Sequence, residues 1–159
     1  QQKGFDLLVQ AMARITADIA ELTIAGTGPD EEALRALSER LPNVEICGPF
    51  SAPNAFLETA DLVAIPSRWE AFGLVGTEAR AAGRPILAAR VDGLNDQLDA
   101  SGFGHAPNSV ASIVRAIYRA SNAANLPDRG RAARERAAGE FDRMITQWHA
   151  LFSDGLASI

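Results

Sequence analysis

Apolar residues recur at Phe5, Leu8, Val9, Met12 and Ile15, the spacing of one helical face, and predict a helix from about Phe5 to Ile19. The β-prone run Glu21-Leu22-Thr23-Ile24-Ala25 follows, and Gly26-Thr27-Gly28-Pro29 turns the chain. Asp30 is placed to cap a second helix reaching about Arg40, which Pro42-Asn43 breaks. Val44–Cys47 reads as a strand ended by Gly48-Pro49, Ala52–Ala60 as a short helix and Leu62–Ile65 as a further strand. A helix over Leu74–Ala82 stops at Gly83, and Ile86–Ala89 is the next strand. Asp92-Gly93-Leu94-Asn95 is expected to be a loop, Asp96–Ala100 one helical turn and Gly102–Pro107 a minimal last strand. Helices over Ser109–Ser121, Pro127–Ala138 and Phe141–Phe152 complete the pattern, with a frayed tail after Ser153.

Strands that alternate with helices imply an α/β fold: a doubly wound, mostly parallel sheet covered on both faces. No internal repeat is present, and Asn122–Pro127 is the only linker-like stretch, so residues 1–159 are expected to form one domain, with 141–159 as its C-terminal helix and tail. Ligands of such sheets bind beyond the carboxyl ends of the strands. Gly26, Gly48, Ser67 and Arg90 each follow a strand and should line one rim.

The chemistry concentrates in Glu70-Ala71-Phe72-Gly73-Leu74-Val75-Gly76-Thr77-Glu78, between a strand and a helix. A helix N-terminus offers free N–H groups and the positive end of a dipole, which attract phosphate. A carboxylate on either side suits the hydroxyls of two sugars, because each can accept two hydrogen bonds from a vicinal diol. A nucleotide-sugar site needs this combination. The plain readings are a capping carboxylate at Glu70 and a solvated helical residue at Glu78.

The segment Pro-Ser-Arg-Trp-Glu-Ala-Phe-Gly-Leu-Val-Gly-Thr-Glu-Ala-Arg-Ala-Ala-Gly-Arg-Pro-Ile, residues 66–86, resembles the C-terminal half of family 4 retaining glycosyltransferases of GT-B architecture. Lys3-Gly4-Phe5-Asp6-Leu7-Leu8, Leu22–Pro29 and Val44–Gly48 agree in order and spacing. The likeness covers Lys3 to Gln97 well and the later helices loosely. It implies a Rossmann-like domain that binds a nucleotide-diphosphate-sugar donor. Glu70 is then the candidate catalytic residue, holding hydroxyls of the donor sugar; no protein nucleophile is evident. Backbone N–H groups around Phe72, Gly73 and Leu74 would hold sugar and phosphate, and Glu78 the ribose hydroxyls. Lys3 would pair with the diphosphate, and Gly28 would let the donor approach its loop, where a plain turn is an equal reading. Phe50 would wall the nucleobase, or else sit in the core. Asp92 stands where the family shows a glycine, although Gly93 and Asp96 fit its pattern.

The family also carries an arginine and a strand ahead of the lysine. Strand Leu22–Ala25 corresponds to its second and Leu62–Ile65 to its fourth, so the first, central strand is expected to be missing between them. The strands could close up, another chain could donate a strand, or the natural protein could supply it upstream; the last is the expected biological state, and these residues by themselves are expected to be marginally stable or to self-associate.

At 159 residues the chain is long enough to bury about 70% of its unfolded surface. Its apolar content is 47%, and no run approaches the roughly 20 apolar residues of a membrane span. The lone Cys47 lies in a strand pattern and suits a reducing compartment; a cytoplasmic location is expected. A net charge of −5 argues against a nucleic-acid partner, and Arg129, Arg131, Arg134 and Arg136 read as a solvated helix face. His105 and His149 lack spaced partners, and no Asp-x-Asp motif occurs, so no metal and no cofactor are expected. Glu31 stands where a third glycine would complete a dinucleotide fingerprint, which disfavours a nicotinamide-dependent oxidoreductase. The leading expectation is the donor-binding half of a glycosyltransferase, inactive by itself, whose acceptor lies on an N-terminal domain outside this chain. The alternative is a non-catalytic nucleotide or nucleotide-sugar binding module of the same fold.

Overall fold

The computed structural model describes residues 1–98 and 101–156, with side chains to Ser153. Helix α1 (Phe5–Met12) leads into strand β1 (Leu22–Ala25), followed by α2 (Glu31–Ser38), β2 (Val44–Cys47), α3 (Pro53–Glu58) and β3 (Val63–Ile65). Then come α4 (Leu74–Ala81), β4 (Ile86–Ala89), α5 (Asp92–Asn95), β5 (Phe103–His105), α6 (Val110–Ser121) and α7 (Leu126–Leu156). Every strand pair is parallel: β1 with β2, β3 with β4, and β4 with β5.

The ladder divides where a central strand is expected. The order is β1-β2 in one sheet and β3-β4-β5 in the other, with no pairing between β1 and β3. Leu22 N–H donates to the Asn43 carbonyl and Val63 N–H to the Pro85 carbonyl, so these residues turn toward β2 and β4 respectively. By the alternation of a strand, Thr23 and Ala25 of β1 and Ala64 of β3 turn their backbone groups to the unpaired inner edges. Helix α1 spans both sheets. Its Val9 packs with Ile24 and Leu34, while Leu8, Ala11 and Met12 join Leu87, Phe103, Ile113 and Ala116.

Several elements depart from expectation. Helix α1 stops at Met12 instead of Ile19: Arg14 and Ile15 N–H close tighter turns on the Ala11 and Met12 carbonyls at 2.9 and 3.0 Å, and buried Asn43 donates to the Ile15 carbonyl just beyond at 2.8 Å. Asp30 stands at the N-cap of α2, where its carbonyl accepts from Leu34 N–H at 2.9 Å but its side chain accepts no backbone N–H. The expected loop Asp92–Asn95 is helix α5. The helical turn expected over Asp96–Ala100 ends at residues 99 and 100, outside the described residues; Asp96 and Gln97 form a turn. The two expected C-terminal helices are one, α7, which runs through Gly139. The tail expected to fray after Ser153 remains helical to Leu156, and residues 157–159 lie outside the described residues. Arg129 leaves the expected solvated face, its guanidinium standing 5.0 Å from the centre of the Phe103 ring.

Helix α4, which carries half of the candidate site, is fixed at its far end. Gly83 takes the left-handed conformation, and the N–H groups of Gly83 and Arg84 close on the Arg80 and Ala79 carbonyls at 2.9 and 2.8 Å. Arg80 is 1% exposed and donates to both carboxylate oxygens of Glu140 on α7 at 2.8 Å. Ala133 and Ala137 bury the same face of α7. Beyond Glu140 the helix leaves the body, and Phe141, Met144, Ile145, Trp148, Leu151 and Phe152 are exposed. No helix among the described residues is long and apolar enough to cross a membrane.

Two measurements follow from this architecture. In amide exchange by NMR, Thr23, Ala25 and Ala64 should exchange about tenfold or more faster than Ile24, Ile65 and Ala88, the equivalent of one lost hydrogen bond. Equal protection would mean that the inner edges are paired in solution. His105 is buried, with Nδ1 2.9 Å from the Ala106 carbonyl and Nε2 without a partner. Burial pushes its pKa down, with the nearby Arg119 charge adding to the effect. The unfolded chain therefore takes up the imidazole proton first, and stability should fall as pH drops below about 6.5. Melting temperatures between about pH 7 and pH 5 should show that slope, and His105→Asn should flatten it.

Candidate functional site

The site is built where the N-terminal turn meets the loop between β3 and α4. Gly4 has φ 68°, and a Cβ there would stand 2.1 Å from the Pro66 carbonyl oxygen, so the turn lies directly on the end of β3. Arg68 N–H donates to the Gln2 carbonyl at 2.9 Å, and the Arg68 guanidinium grips the Asp6 carboxylate through two bonds of 2.8 and 2.7 Å. These bonds hold the Asp6 carboxyl below the usual carboxylate range, the Arg68 charge adding to them.

This stitching brings Lys3 onto Glu70. Lys3 Nζ lies 2.7 Å from Glu70 Oε2, and Ser67 Oγ donates to the same oxygen at 3.3 Å. The carboxylate is 13% exposed, whereas the lysine is 53% exposed. Two of the residues expected at the site therefore meet, although 67 positions separate them.

After Glu70 the chain passes exposed Ala71 and Phe72 to Gly73, which has φ 82° and ψ 58° and serves as the N-cap of α4. A residue with a Cβ disfavours that conformation. Gly73 offers no side chain as a cap, so the first N–H groups of α4 keep the affinity for anions common to helix starts. Leu74 is exposed, and Glu78 lies one turn further along its face, also exposed. Trp69, Phe72, Leu74 and Val75, near Glu70 in the chain, are exposed apolar residues.

Gly28 and Phe50 lie beyond the other sheet. Gly28 is exposed, a Cβ there would meet nothing, and its carbonyl accepts from Glu31 N–H in a turn; the left-handed residue of that loop is Gly26, with φ 127°. Phe50 is not a core residue: it is 41% exposed and stacks on Phe56 with ring centres 4.9 Å apart. Lys3 bonds Glu70 and Gly73 lies against its side chain, while Phe72 precedes Gly73 in the loop and Leu74 and Glu78 follow in the first turns of α4.

Sequence reasoning missed three supports. Arg68 and Asp6 carry no local signal of their pairing. Gln97, 6% exposed, lies beneath the loop and donates to the Phe72 carbonyl at 2.6 Å. Its one clue is a polar residue between Leu94 and Leu98, on the inward side of the turn.

Comparison with known proteins gives the family and the fold. The profile of Glycosyl transferases group 1 matches residues 1–122. The chain is 33% identical over 151 residues to a glycogen synthase of Mycobacterium tuberculosis, covering 89% of this chain and 36% of that protein. It is 31% identical over 179 residues to D-inositol 3-phosphate glycosyltransferase 1 of Catenulispora acidiphila, covering 96% and 42%. The chain thus spans less than half the length of these relatives. Among solved structures, HepE of Anabaena in complex with UDP-glucose superposes with a TM-score of 0.82 at 22% identity, over 99% of this chain and 46% of HepE. Sucrose-phosphate synthase of Thermosynechococcus elongatus gives 0.84 at 26% identity, over 99% and 43%. The fold is that of the C-terminal half of GT-B enzymes, and the chain belongs to the group 1 glycosyl transferases.

Proposed function

We propose that this chain is the donor-binding half of a retaining glycosyltransferase that moves a sugar from a nucleoside diphosphate to an acceptor held by another domain. The observation that carries the reading is the Lys3–Glu70 ion pair beside the N-terminus of α4. It gathers one cation, one acid and free backbone donors where a diphosphate joins a sugar. HepE, which shares the fold, holds UDP-glucose, and this supports a nucleotide-sugar as the ligand.

In this reading Lys3 exchanges Glu70 for the diphosphate. Glu70, freed from the lysine, accepts from hydroxyls of the sugar. The N–H groups at the start of α4 face the phosphate, and Glu78 takes the ribose hydroxyls. The stacked Phe50 and Phe56 wall the base beyond β2, and the loop at Gly28 lies beside the donor. The rate comes from holding the donor in place and from neutralising the departing diphosphate. Lys3 and the helix supply that neutralisation without a metal or a cofactor. Transfer takes place in the cytoplasm, in a cleft that the acceptor-binding domain completes.

Calorimetry tests the roles separately. Glu78→Ala should weaken binding of the nucleoside diphosphate by about 1–3 kcal/mol, the cost of leaving buried polar partners unpaired. Glu70→Ala should weaken the nucleotide-sugar but not the free diphosphate, since it removes the acid that competes for Lys3. Equal losses for the two ligands would remove the sugar role from Glu70. EDTA should leave both affinities unchanged. A mass-spectrometric transfer assay on the isolated chain should show no product. Turnover would place the acceptor site within residues 1–159, and failure to bind UDP-, GDP- or ADP-sugars would refute the reading.

A further inference from the structure

Gln97 is buried yet imperfectly satisfied. Its Nε2 donates to the carbonyls of Phe72, Gly73 and Gly93 at 2.6, 3.2 and 3.3 Å. Its Oε1 has no hydrogen-bond partner. The oxygen points at the first turn of α4, where a Cβ on Gly76 would stand 2.4 Å from it. An apolar side chain would fill this position without an unpaired acceptor. The amide therefore owes its place to what its nitrogen holds, because an orphaned buried polar atom is costly.

What it holds is the entry to α4. The Gly73 carbonyl accepts from Gly76 and Thr77 N–H at 2.9 and 3.4 Å as well as from Gln97. The Gly93 N–H donates to the Glu70 carbonyl at 3.1 Å, and a Cβ on Gly93 would stand 2.3 Å from the Ala71 carbonyl oxygen. The segment 70–73 thus turns the carbonyls of Glu70, Phe72 and Gly73 inward to the α5 segment. The plane of each peptide is fixed by its carbonyl, so the N–H direction of the following residue is fixed with it.

We propose that Gln97 is a positioning residue for donor binding, fixing the backbone between Glu70 and α4 so that the N–H groups of Gly73 and Leu74 are held ready for the donor phosphate. This rests on the donor-site reading above. It adds a residue that touches no ligand and acts through the Phe72 and Gly73 carbonyls. Removing the amide should loosen the phosphate subsite while leaving the base and ribose contacts intact.

The test uses Gln97→Met, which keeps length and volume but donates nothing, and Gly76→Ala, which leaves Gln97 in the sequence but places a methyl 2.4 Å from its oxygen and, less tightly, 3.2 Å from Ile65 Cδ1. Alanine favours a helix interior over glycine, so loss of helix propensity cannot explain an effect of the second variant. Amide protection on the ligand-free chain should fall about tenfold at position 76 and at Thr77 in both variants, each corrected for the intrinsic exchange rate of the residue present, with Ile113–Ala120 of α6 unchanged as the internal control. UDP, GDP and ADP are titrated beside UMP, GMP and AMP. The diphosphate that binds the unsubstituted chain should weaken about tenfold, and its monophosphate should not. Unchanged protection at position 76 and at Thr77, or equal weakening of the two ligands, overturns the proposal. If no nucleotide binds the unsubstituted chain, the donor-site reading fails, and the role of Gln97 in donor binding fails with it; the exchange arm then reports whether Gln97 fixes the loop.

Discussion

The Arg68–Asp6 pair is the junction on which the site depends. Asp6 lies in the first turn of α1, the helix that packs on both sheets, and Arg68 begins the loop that leaves β3. Through its guanidinium and its backbone N–H, Arg68 fixes the carbonyls of Gln1 and Gln2 as well as the Asp6 carboxylate. The two side chains are 27% and 41% exposed, so solvent screening limits what the pair adds to stability. Its value is geometric. Two parallel bonds set an orientation that a single contact would leave free, and in that orientation the Lys3 ammonium reaches Glu70.

A second constraint acts from the opposite end of α4. Buried Arg80 and the Glu140 carboxylate tie that helix to α7, and the turn at Gly83 ends it squarely. The start of α4 can stay uncapped because its end and its inner face carry the structural load.

Most of the sheet was legible in the sequence because each strand is a short apolar run stopped by glycine, proline or a polar residue. All five strands lie within a residue or two of their expected bounds. Glu70 and Glu78 were legible for a local reason: strand, loop, glycine and helix follow one another without interruption. What could not be read involves partners distant in the chain. Asn43 binds the chain just after α1 from 28 positions away, and Arg80 finds Glu140 at a separation of 60. Periodicity presents such an arginine as a solvated one. Gly139 looked like a helix boundary, yet α7 passes through it, since one glycine costs a long helix only about 1 kcal/mol. Resemblance alone put Lys3 and Glu70 at one donor site, and their ion pair was not foreseen, for no spacing rule joins residues 67 apart.

The divided ladder has a mechanical consequence. Backbone hydrogen bonds make a sheet stiff, and none crosses from β1 to β3. The two halves are held to each other by the apolar side chains of α1 and by the contacts of the N-terminal turn, which resist compression better than sliding. Phe50 and Gly28 ride on one half, and Glu70 and Glu78 on the other. Within residues 1–159, a molecule gripped at both ends of this rim would bridge two units that share no backbone ladder.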